Sequence, residues 1–384
     1  MTVNQIYELM NGVTGEILGD SAVLAEDLSN VVDIGTAIFN ASAVDNYVRS
    51  LVNHIGRVIF VNRPYSGNVP SVLMDGWEYG SVLEKISAEL PEATENESWE
   101  LTNGASYDPN IFYKPTVEAK FFNKRVTFEV PCSFTEKQVK ESFSNAAQLN
   151  GFLSMLYNAV DKSMTVKIDA LVMRTINNMV GETINADFGA NALSGGSGVK
   201  AVNLLYLYNQ RYGTSLSAAN ALTDPDFIRF AAFEMGVYMT RLSKISTLFN
   251  IGGKDRFTPA DMLHVVMLAD FKKAANVFLQ SDVFHDSFTE LPNAEVVPFW
   301  QGSGTSYGFA DISKINITTA GGATVNTSGI LGVMFDRDAL GVTNLDRRVT
   351  TNYNPKAEFY TNWYKFDAGY FNDTNENFVV FFVA

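Results

Sequence analysis

The run FTEKQVKESFSNAAQLNGFLSMLYNAVDKSMTVKIDALVMRTINNMVG, residues 134–181, decides the fold. Thr135, followed by Glu136 and Gln138, predicts a helix start: a side-chain oxygen covers an orphan N–H, and a carboxylate sits at the positive end of the dipole. Val139, Phe143 and Ala147 come next at helical spacing, and Asn150-Gly151 marks a break or kink. From Phe152 the periodicity restarts through Met155, Leu156, Ala159, Val160, Met164, Lys167, Ala170, Leu171, Arg174 and Asn178, with no proline, to a stop at Gly181. At about 1.5 Å per residue this second segment is about 45 Å long. Met155, Ala159 and Met164 lie on its apolar stripe, while Asp161, Lys162, Lys167, Asp169 and Arg174 spread over the other faces. The expectation is a long amphipathic helix lying across a sheet and only partly buried.

On the N-terminal side, residues 116–131 alternate well enough for two strands: Val117, Ala119 and Phe121, then Val126, Phe128 and Val130, with Asn123-Lys124 near the turn. Before them the chain changes character. Between Asp75 and Glu100 eight acidic residues face one basic residue, Lys85, and Pro91, Gly104 and Pro109 punctuate the stretch up to Pro115. A segment this long without a core of its own is uncommon inside a compact domain. Its Trp77, Tyr79, Trp99 and Tyr107 argue against plain disorder. The segment therefore reads as a projecting hairpin that lies on a partner. Further back, Arg57 to Val61 reads as a strand, Val31 to Ile55 as one or two short helices with Ser42 as a cap, and residues 1–30 as a polar arm.

On the C-terminal side, a Gly/Ser-rich loop from Gly189 to Gly198 precedes a helical run from Val202 to Tyr212 and a turn at Asp224-Pro225. Phe227 to Phe249 is amphipathic and mostly helical, Met262 to Ala269 has the apolar density of a buried strand, and Asp270 to Leu279 reads as a helix. From Glu295 the chain turns β-rich, with strands expected at 312–317, 330–335, 359–366 and 378–383. The last of these is wholly apolar and would aggregate if exposed. It must be inserted in a sheet, which brings the C-terminus back to the core beside the long helix.

The 384 residues allow one large or two to three modest domains. Twenty-eight Lys plus Arg against 42 Asp plus Glu give a net charge of −14. Such a chain is repelled by phosphate backbones, and no cluster of positive charge points to specific nucleic-acid reading. Cys132 stands alone, which excludes an internal disulfide and a cysteine-based zinc site within one chain. Residues 1–10 lack the basic start and apolar run of a signal peptide, and no stretch approaches the length of a membrane span, so a cytoplasmic protein is expected.

The screen for chemistry yields no catalytic, cofactor-binding or metal-binding residue. His54, His264 and His285 are scattered and read as structural. Gly195-Gly196-Ser197-Gly198 and Gly252-Gly253-Lys254 lack the spacing of a phosphate loop and read as turns. Asp336-Arg337-Asp338 offers two carboxylates to a cation, but after an apolar strand a turn is the simpler reading. Asp282 and Asp286 around His285 stand the same way.

The order of parts resembles the major capsid proteins of tailed bacteriophages, with the Hong Kong 97-type fold shared with herpesvirus capsid floors and encapsulins. The look is nearest to capsid proteins of small short-tailed phages of Gram-positive hosts. It is carried by Asp45 to Gly56, by the spine helix Phe152 to Met179, and by 331–383, with Met334-Phe335-Asp336-Arg337-Asp338, Asn354-Pro355-Lys356 and Tyr360-Thr361-Asn362-Trp363-Tyr364. The resemblance implies an α+β fold divided into an N-terminal arm (1–60), an extended loop or E-loop (61–120), peripheral-domain strands and spine helix (121–181), an axial domain (182–345) and C-terminal peripheral-domain strands (346–384). It implies a non-enzymatic protein that assembles with itself, as pentamers and hexamers, into an icosahedral head shell around double-stranded DNA. Scaffolding protein, portal and head-decoration proteins would be partners, packaged DNA would be touched without sequence preference, and no membrane is involved. Assembly in the host cytoplasm and residence in the virion are implied as well. The arm begins almost at Met1, which suggests a separate scaffolding protein and no large cleaved segment. Some members cross-link through a lysine and an asparagine, but no motif assigns such a pair to Lys85 or Lys114. Two other readings stay open here: an encapsulin-like compartment, and an enzyme or binding protein with an unrecognised site.

Overall fold

The computed structural model describes residues 67, 69–74, 82–96, 98, 100–135, 146–189, 195–279, 294–302 and 306–384. The expected arm, its short helices and the strand at 57–61 lie outside these residues. The chain forms two compact units. Among the described residues the smaller holds 129–135, 146–165 and 348–365, and the larger holds the rest.

The core of the larger unit is a five-stranded sheet of β5 (Ala201–Asn203), β13 (Phe378–Phe382), β10 (Ile330–Asp336), β6 (Leu263–Leu268) and β7 (Glu295–Val297), in that order. β10 runs antiparallel to β13, with Phe335 opposite Phe378, and antiparallel to β6, with Val333 opposite Val266. All residues of β10 and β13 are buried, which is what unbroken apolar runs require of central strands. The terminal strand is therefore inserted in a sheet, as its composition demands. It also returns to the long helix, where Phe188 meets Phe382 edge to face at 5.8 Å.

Helices cover this sheet. α4 (Pro225–Leu242) buries Ile228, Ala231, Met235, Tyr238 and Leu242 along one face, at a spacing of three to four residues. The expected turn at Asp224-Pro225 is the start of α4: Asp224 Oδ1 accepts the Phe227 N–H at 2.8 Å, and Pro225 occupies the first turn, where its missing N–H costs nothing. α2 (Leu204–Tyr212) is capped by Asn203, whose amide also donates to the carbonyl of Ala384 at 3.0 Å. Two short helices, α3 (Ala218–Ala221) and α6 (Phe309–Ile312), and the longer α5 (Ala269–Leu279) are also present.

The long helix, α1 (Ala146–Phe188), departs from expectation at its C-terminal end. Thr135 is the last residue of strand β4 (Arg125–Thr135), and the helix start expected after it, over 136–145, lies outside the described residues. Asn150-Gly151 lies inside α1 without a break. Gly181 is not the stop; a Cβ there would come within 3.1 Å of Ile317, so glycine allows close packing. The helix ends instead at Gly189, at φ +74°, whose N–H donates to the carbonyl of Asn185 at 2.9 Å. Of the three stripe residues only Met164 is buried. Deep burial begins further on, at Leu171, Val172, Ile176, Met179, Val180 and Ile184, while Tyr157 and Val166 stay exposed.

The two strands expected at 116–131 form as β3 (Val117–Phe122) and β4, but in different sheets. β3 pairs with β2 (Leu83–Ala88), whereas β4 joins the sheet ordered β1 (Leu73–Met74), β11 (Leu340–Asn354), β12 (Phe359–Asn372), β4. In the smaller unit Ser133 bonds Thr361 at 2.8 Å, Lys365 pairs with Glu129 at 3.4 Å, and Tyr157 meets Tyr364 edge to face. β8 (Ile315–Thr318) and β9 (Thr324–Thr327) form a separate hairpin.

Candidate functional site

The β2–β3 hairpin has the unusual feature of carrying its lysines inward. Register places Lys85 opposite Lys120 and Ser87 opposite Glu118 on the partly covered face, and Ile86 opposite Ala119 and Ala88 opposite Val117 on the exposed one. Two like charges directly opposite each other repel unless something between them is negative. Here that group is Asp373. Its Oδ2 lies 2.8 Å from Lys85 Nζ, its Oδ1 lies 2.9 Å from Lys120 Nζ, and its side chain is only 3% exposed.

The cluster extends on both sides. Lys85 Nζ also reaches Glu376 at 3.0 Å and donates to the carbonyl of Asp338 at 3.0 Å. Arg256 joins Glu376 at 3.4 Å, and Lys254 bridges Glu89 at 3.0 Å and Glu118 at 2.8 Å. One aromatic contact backs it, Phe122 against Phe371 at 5.2 Å. The hairpin is thus held at its base by charge-assisted hydrogen bonds to the turn between β12 and β13. Burial alone would push the Asp373 carboxyl up, but the hydrogen bonds from Lys85 and Lys120 hold it below the ordinary value. Burial likewise opposes the charge on Lys85, and Asp373 and Glu376 raise its pKa in spite of it.

Beyond the clamp the loop is bare. Every described residue from Ala88 to Val117 is exposed, including Leu90, Leu101, Tyr107, Ile111, Phe112 and Tyr113. With Ile86, Val117 and Phe121 on the outward hairpin face, this run of exposed large apolar residues is the mark of an interaction surface.

The residues screened for chemistry fall elsewhere. His264 stacks on Phe335 at 5.6 Å, and burial lowers its pKa. Asp336 is buried and accepts the Asp338 N–H at 2.9 Å, so Asp336-Arg337-Asp338 is a turn, as its position after β10 suggests. Burial raises the Asp336 carboxyl. Gly195 to Gly198 leads into a turn in which Asp187 accepts the N–H groups of Lys200 at 2.8 Å and Ala201 at 2.9 Å. His54, His285, Asp282 and Asp286 lie outside the described residues. Among the described residues no group of three or more His, Cys, Asp or Glu is placed to hold a metal, and no helix is long and apolar enough to cross a membrane. Sequence reasoning misses the clamp. The available signal is the phase of Lys85 and Lys120, each on the face of its strand opposite Ile86 or Phe121.

Comparison with known proteins bears on what such a surface serves. The family model described as Phi29-like phage major capsid protein matches residues 10–382. A capsid structure of Staphylococcus phage Andhra superposes with a TM-score of 0.52 at 9% identity, covering 86% of this chain and 87% of that one. A structure of the head fibre and inner core protein of native bacteriophage P68 gives 0.48 at 10% identity over 85% and 89%. The capsid of cyanophage P-SCSP1u gives 0.46 at 12% identity over 87% and 94%. The Andhra likeness establishes a shared fold. No curated protein sequence matches.

Proposed function

Because the chain belongs to the Phi29-like phage major capsid protein family, and is thus a protein of the phage head shell with the Hong Kong 97-type fold, we propose how its parts build that shell. The family match favours a DNA-filled head over an encapsulin-like compartment. Residues 1–60 serve as the arm that reaches a neighbour, and 61–120 as the extended loop over the adjacent subunit. Residues 121–181 and 346–384 make the peripheral domain, and 182–345 the axial domain, whose tip meets its copies at the centre of pentamers and hexamers. The protein catalyses nothing. It assembles in the host cytoplasm with a scaffolding protein, a portal and head-decoration proteins, and it touches packaged DNA without reading it. A net charge of −14 suits a wall that must not bind its contents tightly.

The observation that carries this division of labour is the combination of a clamped hairpin base with a bare apolar loop. A monomer gains nothing from holding such a loop in place, whereas a shell gives every subunit the same neighbour to receive it. The test is to replace residues 90–115 with Asn-Gly, which joins Glu89 to Thr116, already bonded through Glu89 N–H to Thr116 carbonyl at 3.0 Å. The clamp stays intact, so the shortened chain is expected to fold with an unchanged melting temperature and to form no shells when co-expressed with its neighbouring genes. Normal shells from this chain would refute the role given to the loop.

A further inference from the structure

The larger unit also carries a groove between α2 and α4 that the clamp does not use. Two hollows of about 570 Å³ and about 420 Å³ lie along it and share Arg211 and Phe230 in their walls. The Arg211 guanidinium sits 5.9 Å from the ring centres of Tyr212, Phe230 and Phe233. Its carboxylate neighbour, Glu234, is 3.7 Å away, and the Arg211 side chain is 54% exposed. Tyr212 and Phe233 are 57% and 49% exposed. Arg229, paired with the exposed Asp226 at 3.3 Å, stands at one end of the groove and Arg241, laid over Tyr238, at the other. A half-exposed guanidinium lodged among rings still offers edge N–H groups that match the two oxygens of a carboxylate. Ring faces lie beside three arginines and, among the described residues, only two carboxylates, Asp226 and Glu234. This leaves the groove positive on a chain that is acidic overall, which favours a peptide that brings aromatic rings and carboxylates.

This chain exposes such a peptide. Phe112 and Tyr113, at 84% and 82% exposure, are the most exposed of the described large apolar residues in the loop. Glu92, Glu95, Glu100 and Asp108 are exposed in the same loop. We infer that the extended loop of one copy docks Phe112-Tyr113 and its carboxylates in the α2–α4 groove of a second copy. A patch that fits a pocket elsewhere on an identical chain makes a head-to-tail contact, which closes into rings when the rotation permits. The inference rests on the shell reading and adds to it the receptor for the loop.

The test uses the full chain co-expressed with its neighbouring genes, with hydroxyl-radical footprinting of unassembled chain and of shells. Phe112, Tyr113, Tyr212 and Phe233 are all expected to lose their reactivity on assembly. In a Cys132→Ser background, shells carrying Tyr113→Cys and Thr214→Cys are expected to give a ladder of disulfide-linked chains after mild oxidation. Shells in which Tyr212 and Phe233 stay reactive, or in which both introduced thiols stay alkylatable, would overturn the docking and leave the shell reading standing. A wild-type chain that forms no particles would overturn both.

Discussion

Replacing Asp373 with alanine is expected to destabilise the larger unit by about 2 kcal/mol and to abolish shell formation. Removing one partner of a buried pair costs about 3–5 kcal/mol, because the other charge is left uncompensated. The lower figure applies here because Lys85 and Lys120 keep 22% and 34% of their side-chain surface in water, where the stranded ammonium groups find partial hydration. The larger consequence is geometric. Without Asp373, Lys85 and Lys120 repel across the hairpin, and the loop loses its fixed bearing. Amide exchange in 83–88 and 117–122 should rise sharply while the five-stranded sheet stays protected. Asp373→Asn should fall between, since it keeps a hydrogen-bond acceptor but not the charge. Unchanged exchange in the hairpin of the alanine variant would contradict the clamp.

The same cluster sets a pH window. The Asp373 carboxyl is held below its ordinary value of about 3.9, so its contribution is present above that pH and is lost as pH falls through the lowered value. The Lys85 ammonium is held above its ordinary value of about 10.4, so its contribution is present below that pH and is lost as pH rises through the raised value. The hairpin should therefore stay clamped across the neutral range and open at both extremes.

The second large effect is expected at Phe381→Ala, with a loss of about 4 kcal/mol. Phe381 is 1% exposed, sits opposite Gly332 of β10, and meets Tyr238 edge to face at 5.3 Å, so the cavity it leaves is bounded by a strand and a helix that cannot both close in. Truncation after Asn377 removes the strand between β5 and β10 and should yield no soluble chain. Thermal unfolding of Phe381→Ala checks the first statement; a melting temperature like that of the wild type would show that β13 is not the keystone of the sheet.

How far each element is legible in the sequence depends on the range of the interactions that make it. β6, β10 and β13 announce themselves because a buried strand needs an unbroken apolar run, and that is a local property. β11, a strand of 15 residues, escapes notice because Asp346-Arg347-Arg348 and Thr350-Thr351-Asn352 give no apolar period; pairing with its sheet neighbours makes it a strand. The end of α1 is ambiguous because two glycines, Gly181 and Gly189, both offer a stop, and only the fold shows that Gly181 instead packs against Ile317, far along the chain. The clamp is invisible for the same reason: Lys120 finds Asp373 across 253 residues of sequence. The bare acidic loop is legible, since a segment without a core of its own shows that lack in its composition.

The claim that the chain is a head shell protein is tested most directly by the mass and ultraviolet spectrum of particles purified from the native source. The expected result is a closed shell of many copies of the 42.3 kDa chain with the absorbance of packaged DNA. A species of one or a few chains, persisting when the neighbouring genes are co-expressed, would contradict it.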